Sequence, residues 1–316
     1  MSVFHLSVTA RSINPVVAAL AALLLWIMTP AASAAIKAEG LQYPAWLVAD
    51  DGRVALRPGD VLAAGQQVST GGGGKVWLRM DDGALVKLGE QADMTVQAVA
   101  ARPAGTSSRT SSQPGGPTPE PGFMEATLDI LEGAFRYTSD KLNTAWQRDV
   151  RINLGSTATV GIRGTDLWGK VGPEQQFVVL LEGQIELTDR AAGDKVALNT
   201  PLQIYQAAEK SVGTVEMAQV QALAPETELD FGAGVQSLQG GFQLNLASFD
   251  NEKLARAEAK RVSEQGLAAD VNGVRINGDQ WFRVSVNRLA SLDDARALMS
   301  RVKKQFGYQT PWISGS

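Results

Sequence analysis

A short Leu-Glu-Gly motif occurs twice in this sequence, and its surroundings restrict the fold more than any other feature. Leu131-Glu132-Gly133 lies within LDILEGAFRYTS and Leu181-Glu182-Gly183 lies within VVLLEGQIELTD, 50 residues further on. Both stretches place a glycine between two strand-like runs, which is typical of a strand with a bulge or a close backbone contact. A third stretch, KVWLRMDDGALVKLG, alternates around Asp82-Gly83 and predicts a hairpin. We therefore expect residues 36–220 to form an all-β domain, either a twisted sandwich or a short solenoid.

Two segments of distinct composition divide the rest of the chain. Residues 101–122 are rich in Pro, Gly, Ser and Thr, and because such a stretch cannot bury a core it is predicted to be an insertion within the all-β domain. Residues 221–240 contain a cluster of glycines and are predicted to be a flexible linker. This division leaves residues 241–316 as a separate C-terminal domain.

The N-terminus is predicted to be a cleaved signal peptide, residues 1–34. Arg11 supplies the positive charge, residues 16–28 form an apolar run, and Ala32-Ser33-Ala34 offers the small residues that a signal peptidase requires. The run is shorter than the ~20 residues of a membrane-spanning helix, and no other stretch approaches that length. The mature chain is therefore expected in the periplasm, without a membrane segment.

The composition excludes several classes of enzyme and partner. The sequence has no cysteine, and its one histidine, His5, lies in the predicted signal peptide. A Ser-His-Asp hydrolase, a Cys-His protease and a conventional zinc site are therefore excluded. Residues 35–316 hold 28 basic and 33 acidic side chains, a balance that argues against nucleic acid as a partner.

An enzyme that uses carboxylates alone is an alternative to a binding protein. Glycan cleavage needs two acids on either side of a groove. Asp81-Asp82 is a candidate pair, but its place in the predicted hairpin turn favours a solvated, structural role. We expect no catalytic residue, no metal and no cofactor, and so a protein that is not an enzyme.

The C-terminal domain shows the alternating elements of an α+β fold. FQLNLASF predicts a strand with Phe242, Leu244 and Leu246 on one face. Asp250 or Asn251 is expected to cap a helix through about residue 265. Its inward-facing residues are expected to be Leu254, Ala255, Val262 and the alanines between them. Two short strands follow, then a second helix for which Ser291 and Asp294 form a capping box, then a last strand near QTPWI. The order is βαββαβ, an RNP-like arrangement with both helices on one sheet face.

The opposite, open face of this predicted sheet carries an aromatic residue among polar ones. In NGDQWFRVSVNR, Trp281, Arg283 and Ser285 alternate with apolar residues, and Gln243, Asn245 and Ala247 do the same in the first strand. An indole flanked by hydrogen-bonding groups suits a sugar chain, whose apolar ring face stacks on it. It would equally suit a base of RNA. The signal peptide and the acidic charge disfavour RNA.

The β-rich region resembles the FecR domain over about residues 50–200. The stretches that carry the resemblance are STGGGGKVWLRMDDGALVKLGEQADMTV, LEGAF, INLGSTATVGIRGTDLWGKV and VVLLEGQIEL, which include Arg163-Gly164-Thr165. FecR proteins include sigma-factor regulators with a cytoplasmic helical segment and a membrane span, neither of which is found in this sequence. The resemblance therefore implies an extracytoplasmic β domain that is a scaffold or a protein-interaction module for an envelope partner.

The C-terminal domain resembles the SPOR domain. The first motif of that family reads aromatic, x, hydrophobic, Gln, x, Gly, Ser, Phe. This sequence has FQLNLASF at the same place, with Asn245 instead of Gln. The second motif of the family, aromatic-x-Arg-Val, is present here as WFRV. SPOR domains bind septal peptidoglycan glycan strands stripped of stem peptides. The resemblance implies that ligand here, with Asn245, Ser248, Trp281 and Arg283 as contacts. The alternation of the strands adds Gln243 and Ser285 to these predicted glycan contacts.

Together these features predict a periplasmic, non-enzymatic protein that binds denuded peptidoglycan glycan strands and is enriched at the division septum. The alternative is an extracytoplasmic signalling component of the FecR type, in which the C-terminal domain is only an anchor to the cell wall.

Overall fold

The structure is a computed structural model that describes residues 36–49, 52–102, 105–106, 119–140 and 145–315. The predicted signal peptide lies outside these residues, as does most of the predicted insertion. The ends of that insertion are described: Gly105–Thr106 pairs with Pro119–Glu120. Among the described residues, no helix is long and apolar enough to cross a membrane.

The β-rich region comes first in the chain. Its strands are β1 Ile36–Gln42, β2 Ala45–Ala49, β3 Gly52–Ala55, β4 Val61–Leu62, β5 Gln67–Thr70, β6 Lys75–Met80, β7 Leu85–Leu88, β8 Asp93–Arg102, β9 Gly105–Thr106, β10 Pro119–Glu120, β11 Gly122–Thr138, β12 Trp146–Leu154, β13 Ala158–Val171, β14 Gln176–Asp189, β15 Lys195–Leu198, β16 Gln203–Gln206 and β17 Ser211–Thr214. Most of these strands contribute side chains to one buried apolar cluster, whose residues run from Ile36 to Ala207.

The remaining elements follow without a long gap. They are α1 Met217–Leu223, a 3₁₀ turn Ala224–Glu226, β18 Val235–Ser237, β19 Phe242–Phe249, α2 Glu252–Ser263, β20 Asp270–Ile276, β21 Asp279–Leu289, α3 Leu292–Phe306 and β22 Trp312–Gly315.

Strand β11 organises the β-rich region, and Gly133 divides it. Before this glycine, β11 pairs with β8 and β12; after it, β11 pairs with β7 and β13. Gly133 has φ +93°, and a Cβ atom there would overlap Ala92. Gly183 of the second Leu-Glu-Gly motif has φ +88°, and a Cβ atom would overlap the carbonyl of Gly164. The prediction that both glycines mark close backbone contacts is confirmed, since a larger side chain fits neither position.

The predicted flexible linker, residues 221–240, is ordered instead. All three residues of its strand β18 pair with β1, and Gln236 also pairs with Leu289 of β21, so β18 joins the two sheets. The buried Asp294 carboxylate accepts hydrogen bonds from the backbone N–H groups of Gly232, Gly234 and Val235 at 2.7, 3.1 and 2.8 Å. The composition-based expectation was wrong because these contacts satisfy the backbone groups that a flexible tether would leave to water.

Tyr43, in the turn between β1 and β2, lies in the core of the C-terminal domain. Its side chain is 2% exposed and belongs to the same buried cluster as Leu244 and Val286. The Arg301 guanidinium on α3 lies 4.3 Å from the Tyr43 ring centroid and donates to the Tyr43 carbonyl at 2.7 Å. The β-rich region thus contributes a core side chain to its neighbour.

We expect Tyr43→Ala to destabilise the C-terminal domain by about 3–5 kcal/mol, the cost typical of removing a large buried ring. Tyr43→Phe is the matched control, because it keeps the ring, and it should cost less than about 1.5 kcal/mol. Urea unfolding of residues 36–316, followed by intrinsic fluorescence, measures both. Equal stability of wild type and Tyr43→Ala would contradict the shared core.

Candidate functional site

The C-terminal sheet has the strand order β22, β19, β21, β20, and all neighbours are antiparallel. Both helices pack on one face and bury a cluster with Leu244, Val284 and Val286 of the sheet. The predicted βαββαβ order is confirmed. So is the Asn251 cap of α2, whose side chain accepts from the N–H groups of Lys253 and Leu254.

One predicted core residue of α2 is not buried. Leu254 is 56% exposed, whereas Ala255, Ala259 and Val262 face the sheet. These three residues recur at helical spacing, and Leu254 precedes the first of them by one residue, which turns its side chain about 100° away from the buried face. The expectation that Leu254 packs inward was therefore wrong.

A β-bulge in β19 decides which residues reach the open face. Asn245 lies opposite Ser285, but Ala247 lies opposite Val284, so Leu246 is an extra residue. Residues opposite each other in an antiparallel pair point to the same face. Beyond the bulge, Ala247 therefore lies on the helix side, which overturns the prediction from simple alternation.

The same bulge places Ser248 on the open face. Ser248 lies directly opposite Arg283 in the sheet. Strict alternation from Phe242 would have turned Ser248 toward the helices. The structure thus places Ser248 and Arg283 side by side. The family resemblance named both residues, whereas simple alternation would have placed them on opposite faces of the sheet.

Two of the predicted contact residues form the floor of the open face. Asn245 and Ser285 are both 0% exposed. Asn245 accepts a hydrogen bond from Gln243 at 2.9 Å and donates to the Trp312 carbonyl at 3.3 Å and to the Ser314 hydroxyl at 3.1 Å. Asn245 therefore ties β22 to β19, and its amide does not reach the surface.

The other four predicted contact residues, Gln243, Ser248, Trp281 and Arg283, are partly exposed. The Arg283 guanidinium lies 5.0 Å from the ring centroid of Trp312. Within the described part of the chain the Arg283 side chain has no ion pair, and its Nε and the Ser285 hydroxyl are buried without a hydrogen-bond partner. A cation held only by stacking is free to form charge-assisted hydrogen bonds with a ligand.

Trp312 is the site residue that the sequence analysis missed. Its side chain lies on the open face opposite Asn245 and is 39% exposed. The stretch QTPWI predicted a strand, but its register against β19 depends on the Asn245 hydrogen bonds and could not be deduced from alternation alone.

The candidate carboxylate pair at Asp81-Asp82 has a structural explanation. Asp82 is 0% exposed, forms an ion pair with Arg148 at 2.5 Å and accepts from the Ala84 N–H at 3.0 Å. The expectation of a solvated turn was wrong for Asp82, because these contacts bury its carboxylate. Among the residues that the structure describes, no group of His, Cys, Asp or Glu could hold a metal ion.

Comparison with known proteins supports the C-terminal assignment. Residues 238–314 match the SPOR domain, a peptidoglycan-binding domain, which confirms that part of the resemblance. No curated protein matches the sequence. Two crystal structures described as a proposed anti-sigma factor from Parabacteroides distasonis ATCC 8503 are similar, at 15% identity. They cover 76% and 79% of this chain and 91% and 99% of their own, with TM-scores of 0.34 and 0.33, values that carry no argument about function.

Substitutions at two adjacent residues of β21 should separate the open face from the core. Phe282 lies opposite Phe249 on the helix side and packs against the core, so Phe282→Ala should destabilise the protein by about 1.5–3 kcal/mol. Trp281→Ala, on the open face, should change the free energy of unfolding by less than about 1 kcal/mol. Thermal and urea denaturation measure the difference. Equal losses would show that Trp281 packs as a core residue.

Proposed function

We propose that this chain is a non-enzymatic periplasmic protein that binds denuded glycan strands of peptidoglycan through the open face of its C-terminal sheet. The observation that carries the proposal is the Arg283 side chain, which lies between two partly exposed tryptophans and has no acidic partner among the described residues. The SPOR match supplies the ligand class.

The chemistry of the ligand fits this face. The apolar faces of pyranose rings stack on indoles, and the hydroxyl and N-acetyl groups accept and donate hydrogen bonds. Removal of a stem peptide leaves the lactyl group of muramic acid with a free carboxylate. An unpaired guanidinium favours that carboxylate through a charge-assisted hydrogen bond, which supports a preference for denuded strands over substituted ones.

The β-rich domain is proposed to act as a scaffold or as a protein-interaction module. Support for the scaffold role comes from the ordered connection: β18 pairs with both sheets, and Tyr43 packs in the C-terminal core. A glycan bound to the open face would therefore fix the orientation of the β-rich domain as well. Enrichment at the septum follows if denuded strands are concentrated there.

Co-sedimentation of residues 36–316 with peptidoglycan sacculi tests the proposal. Amidase-treated sacculi, which have lost stem peptides, should pellet more protein than untreated ones. Arg283→Ala should weaken binding roughly 10- to 100-fold, the loss typical of a hydrogen bond to a charged group. Arg296→Ala is the matched control, because this arginine lies on α3, its side chain is 61% exposed, and it pairs with Asp293.

Two results would contradict the proposal. Equal pelleting with treated and untreated sacculi would remove the preference for denuded strands. Equal losses for Arg283→Ala and Arg296→Ala would show that binding follows total charge and not the open face.

A further inference from the structure

We infer that the cleft between strand β3 and helix α2 is a second binding site, and that it takes an extended acidic peptide from a partner protein. The inference rests on the protein-interaction role proposed above for the β-rich domain. It gives that role a location and a partner of defined chemistry.

The cleft lies where the β-rich region meets the C-terminal domain. Strand β3 and the turn after it form one wall, α2 forms the second, and the start of β20 forms the third. The cleft has a volume of about 690 Å³, which falls within the ~300–1,000 Å³ typical of ligand pockets. Both parts of the chain therefore contribute to one site.

Direct contacts hold the walls of this cleft at a fixed distance. The backbone N–H of Ala55 in β3 donates to the Ser263 hydroxyl of α2 at 3.2 Å. The Trp46 indole N–H, in the neighbouring strand β2, donates to the Glu264 carbonyl at 3.3 Å. Gly266 has φ +84°, and a Cβ atom there would overlap the Trp46 ring. Because the walls are already joined, a ligand does not have to assemble the cleft when it binds.

Basic side chains dominate the charge of the cleft. It is lined by four basic residues and two acidic ones, a net charge of +2: Arg53, Arg57, Arg256 and Lys260 against Glu264 and Asp270. Among the described residues, Arg53 has no acidic partner. Its guanidinium lies 4.5 Å from the Trp46 ring centroid and donates to the Glu264 carbonyl at 3.4 Å. This cation is therefore available for a charge-assisted hydrogen bond with a carboxylate.

The other three basic residues form weak pairs. Arg57 pairs with Asp270 at 3.5 Å, Arg256 with Glu252 at 2.5 Å and Lys260 with Glu264 at 3.9 Å. All six side chains are more than 40% exposed, and ion pairs so open to solvent contribute little to stability. Asp270 also accepts a hydrogen bond from Asn287 at 2.7 Å, so it keeps a partner when Arg57 turns to a ligand. An incoming carboxylate can thus replace the present acids at low cost.

The shape of the cleft favours an extended chain. Strand β3 pairs with β2 on one side, and β20 pairs with β21 on one side, so both strands border the cleft with an edge. An extended peptide can add to such an edge through its backbone. Its side chains point alternately to the two sides, which matches cations on opposite walls. Val54, which is exposed, and Val271 add apolar contacts to the cleft.

The test uses a fluorescein-labelled peptide, Glu-Glu-Val-Glu-Glu, titrated into residues 36–316 and followed by fluorescence anisotropy. It should bind, and binding should weaken as NaCl is added, because salt screens exposed charges. The neutral peptide Gln-Gln-Val-Gln-Gln should not bind. The double variant Arg53→Gln/Lys260→Gln removes one cation from each wall and should weaken binding roughly 10-fold.

The matched control is Arg190→Gln/Lys195→Gln. Arg190 donates to the Gly155 carbonyl and Lys195 pairs with Glu186, so the control removes the same two charges, in similar surroundings, outside the cleft. It should leave the affinity unchanged, and both double variants should melt at the temperature of the wild type. Bound peptide should also slow amide hydrogen exchange at residues 52–55 and 270–272.

Several outcomes would overturn the inference. These are no binding of the acidic peptide, equal affinity for the acidic and neutral peptides, and equal losses for the two double variants. Displacement of the peptide by inorganic phosphate at a comparable concentration would show a site for small anions instead of a peptide.

Co-sedimentation with amidase-treated sacculi separates this inference from glycan binding. Arg53→Gln/Lys260→Gln should pellet as the wild type does, because both residues lie outside β19 and β21, the strands that carry Ser248 and Arg283. If the wild type binds the acidic peptide and does not pellet, glycan binding fails and the cleft stands. If it pellets and binds no acidic peptide, the cleft fails and glycan binding stands.

Discussion

The pairing of β18 with a strand on either side is the contact on which the rest of the structure depends. β18 continues the sheet of the β-rich region by pairing with β1 along its whole length, and Gln236 also pairs with Leu289 of β21 in the C-terminal domain. Gln236 is 3% exposed, and its side chain donates to the Asn287 carbonyl at 2.8 Å. Because a buried amide must keep its partners, a shift of one sheet relative to the other would break hydrogen bonds at both edges. The two core clusters are thereby held in one compact unit.

This connection leaves the open face accessible. The β-rich region contacts the C-terminal domain at α3 through Tyr43, after α2 through Trp46, which donates to the Glu264 carbonyl, and at the end of β21, where Arg288 donates to the Pro58 carbonyl. These contacts lie on the helix side and at the strand ends. In the described residues, the contacts between the two parts of the chain do not involve Trp281, Arg283 or Trp312. The docking therefore fixes the domain without occupying the proposed glycan site.

The sequence predicted what depends on local pattern and missed what depends on register. Alternation and capping residues predicted the order βαββαβ, the Asn251 cap and the exposed side of Arg283, since these follow from neighbours along the chain. The bulge at Leu246 has no local marker, because no Gly or Pro accompanies it, so the face of Ser248 could not be deduced from alternation. The exposure of Trp312 likewise depends on a partner 67 residues away, Asn245.

The composition of residues 221–240 predicted a flexible linker, and this prediction was wrong because charge pairing, rather than hydrophobic burial, orders the start of the segment. Glu228 forms ion pairs with Lys87 at 2.6 Å and with Arg136 at 3.2 Å, and Glu226 pairs with Lys170 at 2.9 Å. Lys87 is only 9% exposed, and a cation so buried requires an acidic partner.

Hydrogen bonds with Asp166, and the nearby Glu228, raise the pKa of Arg136 above its ordinary value. Two glutamates of the segment predicted to be a flexible linker are therefore the groups that hold its start on the β-rich domain. Leu229 and Val235 are buried further along the same segment. Charge pairing at the start of the segment and strand pairing at its end therefore both hold it in place. Under the proposed function, a glycan bound to the C-terminal sheet would also fix the orientation of the β-rich domain, which favours the scaffold role over a flexible anchor.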